Sequence, residues 1–233
     1  MRNRLATTFF GALITASCGL GFAKLSPPSV TYVIQFRPPV GRHLHYGMQM
    51  DIAGAKPVKI GAGFSVAATK HAAGKYTMVT TIDSMTIAGM PADQVQKMIS
   101  GTKVTQVVDE SGRIVSTEAV GPMKAMMQGG SVGSAGAIFP KHPVHVGETW
   151  HGSAEAQGAK ADVIVKLIGV KSVGGKQLAK LRLIPAAEAH SSKSGTITIT
   201  IETATGILRT MEMSSDTGPA GPGSKMHLLV RLR

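Results

Sequence analysis

The stretch Gly195-Thr196-Ile197-Thr198-Ile199-Thr200-Ile201-Glu202 alternates between aliphatic and polar side chains. Successive side chains of a β-strand point to opposite faces, so the three isoleucines share one face and the threonines share the other. This alternation is typical of a strand with one face in a core and the other in water. The stretch therefore predicts an antiparallel sheet with one solvated face.

The same period of two extends along most of the chain in both directions. Short turn sequences interrupt it and predict four hairpins. Their strands are expected at residues 58–69 with 75–87, 103–108 with 113–118, 161–170 with 177–184, and 195–202 with 207–213. A terminal strand is expected at 226–232.

Two short segments depart from this period and predict helices at residues 93–100 and 122–128. Each has three apolar residues at positions i, i+3 and i+4, with a proline near its start and a glycine after its end. The predicted class is mainly β (α+β): a large curved antiparallel sheet or half-barrel of roughly ten strands, with both helices packed on its concave face. A closed barrel is the alternative.

Composition excludes several classes of function. Of 233 residues, 43% are hydrophobic and 16% charged, so most of the chain can fold around a core. Aromatic residues make up 4%, too few for the stacking platforms of nucleic-acid-binding modules, so no nucleic acid is expected as a partner. Cys18 is the single cysteine, which excludes a disulfide framework and a thiolate zinc cluster.

The N-terminus has the layout of a secretory signal peptide. Arg2 and Arg4 precede an uncharged stretch of apolar or small residues at 5–20, and Gly21-Phe22-Ala23 resembles a cleavage site. Since a membrane span needs about 20 apolar residues, cleavage is expected, and retention as an anchor is the alternative. The predicted organisation is a signal peptide at 1–23, a linker at 24–30 and a single β-rich domain at 31–233, with no transmembrane span after cleavage.

Cys18 offers a second route of processing. Residues 14–18 approximate a bacterial lipobox, in which the cysteine becomes an acylated first residue, although Thr15 stands where leucine is usual. Lipidation at Cys18 therefore remains an alternative to cleavage after Ala23. Both routes predict export to the periplasm or cell envelope of a bacterium.

The charge balance favours an anionic partner. The formal charge is +12, and removing Arg2 and Arg4 leaves +10, because residues 1–23 contain no acid. A strongly basic exported protein is attracted to anionic envelope surfaces such as phospholipid head groups. The cations form no run of five or more, so an excess that is merely solvated is the alternative.

No catalytic set can be assembled from the sequence, so an enzyme is not expected. No Gly-x-Ser-x-Gly segment lies between a predicted strand and helix, and the acidic residues number only 13. Alternation places His43 and His45 on the strand face opposite Met48 and Met50. A metal there would need a further histidine from elsewhere, and neither a metal site nor another cofactor is predicted.

The methionines point to binding of an apolar or lipid ligand. There are thirteen, and their flexible, polarisable side chains recur on promiscuous apolar surfaces. Two helices of about eight residues are each roughly 12 Å long and are expected to leave part of the sheet uncovered. The residues predicted to line the cavity are Met98, Met123, Met126, Met127, Phe64 and Trp150. Two alternatives are that the helices simply complete the core, and that the chain is a structural or interaction protein holding envelope polyanions.

Two stretches carry a resemblance to known proteins. They are 139–150, Phe-Pro-Lys-His-Pro-Val-His-Val-Gly-Glu-Thr-Trp, and 107–114, Val-Val-Asp-Glu-Ser-Gly-Arg-Ile. Together they resemble an uncharacterised group of exported bacterial β-rich proteins and lipoproteins with a P-x-x-P-V-x-V-G-[ED]-[TS]-W segment. The plan of residues 40–233 is also similar to the half-barrel lipid and lipoprotein carriers of the bacterial envelope, which implies an apolar cavity by analogy of fold. Trp150 is expected to anchor its strand in the core.

Overall fold

The computed structural model describes residues 30–54, 57–124, 138–156, 159–186, 196–216 and 224–233. These residues form a mainly β structure with one large, curved, antiparallel sheet, which confirms the predicted fold class. The predicted signal peptide, Cys18 and most of the predicted linker lie outside the described residues.

The strands of the large sheet are β2 (His43–Ala53), β3 (Val58–Ala72), β4 (Lys75–Ile87), β5 (Lys103–Asp109), β6 (Ile114–Val120), β8 (Thr149–Ala156), β9 (Ala159–Val173), β10 (Lys176–Pro185), β11 (Thr196–Glu202), β12 (Leu208–Ser215) and β13 (Lys225–Leu232). Their order is β6-β5-β4-β3-β2-β13-β12-β11-β10-β9-β8. Within the described residues β6 and β8 each pair on one side only, so the sheet is open. A separate small sheet pairs β1 (Thr31–Tyr32) with β7 (Val144–His145).

The four predicted hairpins are present as β3–β4, β5–β6, β9–β10 and β11–β12. Two of them turn through a pair of residues with positive φ, Ala73-Gly74 and Gly174-Gly175. Two successive positive φ angles produce a turn whose twist matches that of the strands it joins. Local turn chemistry therefore accounts for these pairings.

One pairing joins distant parts of the chain. The C-terminal strand β13 lies antiparallel to β2, with register from Lys225 opposite Ala53 to Leu232 opposite Tyr46. On its other side β13 pairs with β12. It thus connects the meander β2–β6 to the meander β8–β12 and makes them one sheet.

The chain before β2 covers one end of the concave face. Its amide at Gln35 donates to the carbonyl of Thr203 at 3.1 Å, and its amide at Gly41 donates to the carbonyl of Ala68 at 2.8 Å. Just before Gln35 the segment buries Ile34 against the strands. The backbone bonds hold this cover across the sheet, and no helix is needed there.

The helix α1 (Ala92–Ile99) covers the other end, close to the predicted 93–100, and buries Val95 and Ile99. Asp93 in its first turn and Lys97 in its last turn complement the helix dipole. The second predicted helix, 122–128, lies mostly outside the described residues. In the part of the chain that the structure describes, no helix is long and apolar enough to cross a bilayer.

Candidate functional site

Apolar side chains form continuous rows across the concave face, because the strand registers align them. One row crosses nine strands and consists of Trp150, Val165, Leu183, Ile197, Met213, Leu228, Met50, Ile60 and Ile87. The next row consists of Leu167, Leu181, Ile199, Met211, Val230, Met48, Ala62 and Met85. Directly opposite residues have Cβ atoms about 4.5–5.5 Å apart, so each row is an unbroken apolar band.

Other segments pack on both ends of these rows. At the β8–β11 end, Leu167 and Leu181 are fully buried beneath Ile34 and Ile138. At the β4–β6 end, Met85 is half-buried against a core of Val104, Ala119, Met123 and Ile99 of α1. Each end therefore already has its own cover.

The middle of the face is different. Five methionines on three neighbouring strands remain half-buried: Met48 and Met50 on β2, Met211 and Met213 on β12, and Met226 on β13. We call these five residues the methionine patch. They surround Leu228 and Val230, which are buried. A partly exposed apolar surface on a concave face is a common location for ligands, and this patch is the candidate site.

Two of the predicted lining residues lie in strands. Phe64 is buried beside the methionine patch and stacks on Tyr46, with ring centroids 5.3 Å apart. Trp150 lies far along the row, in the core of the β8–β11 end. The structure thus brings Phe64, and not Trp150, to the candidate site.

The other predicted lining residues belong to the α1 end. Met98 is half-buried on α1, and Met123 is buried in the core beneath it. Met126 and Met127 lie outside the described residues. None of the five methionines of the patch is among the lining residues predicted from the sequence. The signal that could have located them is the spacing of two residues between Met48 and Met50 and between Met211 and Met213. This spacing places each pair on one face of its strand.

Trp150 holds the chain at Ile138 against the sheet by a hydrogen bond. Its indole nitrogen donates to the carbonyl of Ile138 at 2.7 Å, and Ile138 is fully buried. Trp150→Phe keeps an aromatic ring and leaves this carbonyl without its donor, so the free energy of unfolding should fall by about 1–2 kcal/mol in urea denaturation. Affinity for an apolar probe should stay the same. Unchanged stability with lost probe binding would contradict this anchoring role.

A charged cluster lies beside the patch, at the end of β11. The side chain of Glu202 is 6% exposed and accepts hydrogen bonds from the Lys176 ammonium at 3.0 Å, the Thr205 hydroxyl at 3.2 Å and the Arg209 guanidinium. Burial acts to raise the pKa of this carboxyl, but the hydrogen bonds and charges of Lys176 and Arg209 outweigh it. The pKa of Glu202 therefore lies below its ordinary value.

This cluster influences the apolar face through Tyr46. Burial raises the pKa of the Tyr46 hydroxyl far above its ordinary value, and the charges of Arg209 and Glu202 act on it in opposite directions. The tyrosine is therefore neutral at physiological pH and contributes to the apolar face as an uncharged side chain.

On the outer face, His45 joins a short hydrogen-bonded chain. Its Nδ1 lies 2.9 Å from the Ser65 hydroxyl, and that hydroxyl donates to Asp83 at 2.6 Å. In a serine hydrolase the histidine lies between the serine and the carboxylate. Here the serine is in the middle, so the arrangement lacks the order that nucleophilic catalysis of that kind requires.

Two other histidines lie around Glu148. His145 Nδ1 is 2.7 Å from one carboxylate oxygen, and His142 Nδ1 is 3.7 Å from the other. Glu148 also accepts the backbone N–H of His145 at 3.0 Å, so it closes the turn after β7. Across the described ranges no three histidine, cysteine or acidic side chains converge in a way that could hold a metal ion.

Comparison with known proteins gives no matching family model and no matching curated protein. Three solved structures are similar in part. A DUF1329 family protein from Desulfovibrio piger has 11% identity and a TM-score of 0.30, over 82% of this chain and 85% of that chain. A putative outer membrane lipoprotein-sorting protein domain from Vibrio parahaemolyticus has 10% identity and a TM-score of 0.26, over 82% and 85%. A LolA superfamily protein from Nitrosomonas europaea has 10% identity and a TM-score of 0.24, over 85% and 89%. Likenesses at this level carry no information on the ligand of this chain.

Proposed function

We propose that this protein binds the acyl chain of a lipid, or a similar apolar group, on the methionine patch. It acts as a binding or carrier protein of the bacterial envelope and not as an enzyme. The observation that carries the proposal is the half-buried methionine patch between two covered ends of one apolar face. Its location in the envelope rests on the signal-peptide layout of residues 1–23.

The residue types support a ligand in the middle of the face. The β8–β11 end is filled by branched side chains such as Leu181 and Ile199, which pack in defined rotamers. The patch instead has unbranched methionines, whose side chains adapt to guests of different shape. The apolar face of β2 runs from Leu44 to Ile52, about 27 Å at the usual rise of a strand, which is comparable to an extended long acyl chain.

The test is binding of a fluorescent fatty-acid analogue to delipidated protein. Met50→Lys combined with Met213→Lys is expected to weaken probe affinity at least tenfold, because cationic side chains would replace the apolar contacts on both sides of Leu228. Lysine can extend its charge towards water from a half-buried position, so the melting temperature should change by only a few degrees.

A second variant tests the same surface without charge. Met213→Trp should fill the middle of the face and exclude the probe while the sheet remains folded. The matched control is Met90→Lys combined with Val115→Lys, at exposed positions away from the patch, and it should bind the probe like the parent. Equal binding by the parent and both patch variants would overturn the proposal and leave the polyanion-binding alternative.

A further inference from the structure

The outer face of the sheet has a cavity of its own. It has a volume of about 370 Å³ and is lined by residues of β9 to β13. Its lining residues on β10, β11, β12 and β13 alternate with the core residues of those strands, for example Thr200 with Ile199 and Ile201. The cavity is therefore separated from the methionine patch by the thickness of the sheet, and its size is within the range of small-molecule sites.

The strand register explains why a hollow forms on a surface that curves outwards. Lys180, Thr200, Thr210 and Arg231 are opposite one another in a single row. Lys180 and Arg231 are three strand spacings apart, about 14 Å between Cα atoms. The two short threonines form a floor between these two long cationic side chains. Lys180 is also opposite Gly169, which has no side chain. A Cβ at Gly169 would meet no atom within 4 Å, so the space beside Lys180 is open.

Four polar side chains of the cavity have no partner among the described residues. Among the described residues, no hydrogen bond or ion pair engages the side chains of Lys180, Thr200, Thr210 or Arg231. Among the described lining residues, Lys171 adds a third cation and Glu212 is the only carboxylate. Glu212 is itself engaged by His227 at 3.4 Å. The described lining thus has a net charge of +2 and hydroxyl groups in its floor.

We infer that this cavity is a second binding site, for a polyol phosphate. The phosphate would lie between Lys180 and Arg231, whose cations form charge-assisted hydrogen bonds with phosphate oxygens. The hydroxyl groups of the ligand would exchange hydrogen bonds with Thr200, Thr210 and Glu212. The apolar walls at Leu178 and Leu229 fit its carbon skeleton. The phosphate could come from a free ester or from the head group of a phospholipid.

Isothermal titration with sn-glycerol 3-phosphate, inorganic phosphate and glycerol tests the free ester. Saturable binding is expected for glycerol 3-phosphate, weaker binding for inorganic phosphate and none for glycerol. Lys180→Ala combined with Arg231→Ala should weaken glycerol 3-phosphate binding at least tenfold. Co-sedimentation with phosphatidylglycerol vesicles, compared with phosphatidylcholine vesicles, tests the lipid head group with the same variant.

The control removes the same charge from the same face. Lys166 and Lys225 lie on outer-face positions of β9 and β13 but do not line the cavity. Lys166→Ala combined with Lys225→Ala should change binding less than twofold in 150 mM salt. An equal loss in both double variants would show attraction by dispersed charge and would overturn the site. If the parent binds neither the ester nor the vesicles, the proposed second site is overturned as well. That result would leave the proposal for the methionine patch unaffected.

Discussion

Replacing Glu202 by glutamine is expected to lower the free energy of unfolding by about 3 kcal/mol at neutral pH. The variant keeps the size of the side chain and removes the charge that Lys176 and Arg209 share. The buried Nε of Arg209 already lacks an acceptor in the described structure, so the guanidinium depends on Glu202. Two cations would then face an uncharged amide. Urea denaturation followed by circular dichroism measures the difference.

The pH dependence of this effect has a defined sign. The pKa of Glu202 is lowered in the folded protein, so its contribution is fully present above the unfolded-state pKa of glutamate, about 4.3. It is lost as the pH falls from there through the folded-state pKa. The difference in unfolding free energy between the parent and Glu202→Gln should therefore shrink in acid.

Glu212→Gln is the matched control, since it makes the same change one strand away. The Glu212 side chain is 61% exposed and faces only His227 among the ion pairs of the described residues. Its loss should cost less than about 0.5 kcal/mol. Similar costs for the two variants, or a Glu202 effect that does not vary with pH, would show that the cluster does not stabilise the fold.

Gly206→Ala is expected to destabilise the protein by about 3 kcal/mol, from two causes. Gly206 has a φ of 69°, which disfavours any residue with a Cβ by about 1 kcal/mol. A Cβ there would also lie 2.8 Å from the carbonyl oxygen of Gln35 and from ring carbons of Phe139. The segment that covers the concave face would have to shift, which costs about 1–3 kcal/mol more.

Gly101→Ala separates these two causes. Gly101 has nearly the same φ, 70°, but a Cβ there meets nothing within 4 Å. It should therefore show the backbone strain alone, about 1 kcal/mol. Thermal unfolding of both variants gives the comparison. If both variants lose the same stability, the close approach between Gly206 and the covering segment has no energetic role.

Much of the sheet could be predicted because its signals are local. The isoleucine and threonine alternation of β11 and the turn at Gly174-Gly175 each depend on residues close together in the chain. Strand ends were predicted within a few residues, and α1 began at Ala92, next to the predicted start. The cover provided by residues 33–41 was not predicted, because its hydrogen bonds are to Thr203 and Ala68, far away in sequence.

Only part of the candidate site could be predicted from the sequence, because its residues come from distant parts of the chain. Alternation places Met48 and Met50 on one face of β2, and Met211 and Met213 on one face of β12, and the sequence alone is enough for that. Their meeting depends on β13, which pairs with both strands and brings residues more than 150 positions apart into one row. Such long-range pairing is set by which apolar faces are buried together and not by any local pattern, so the methionine patch and the cavity behind it exist only in the folded sheet.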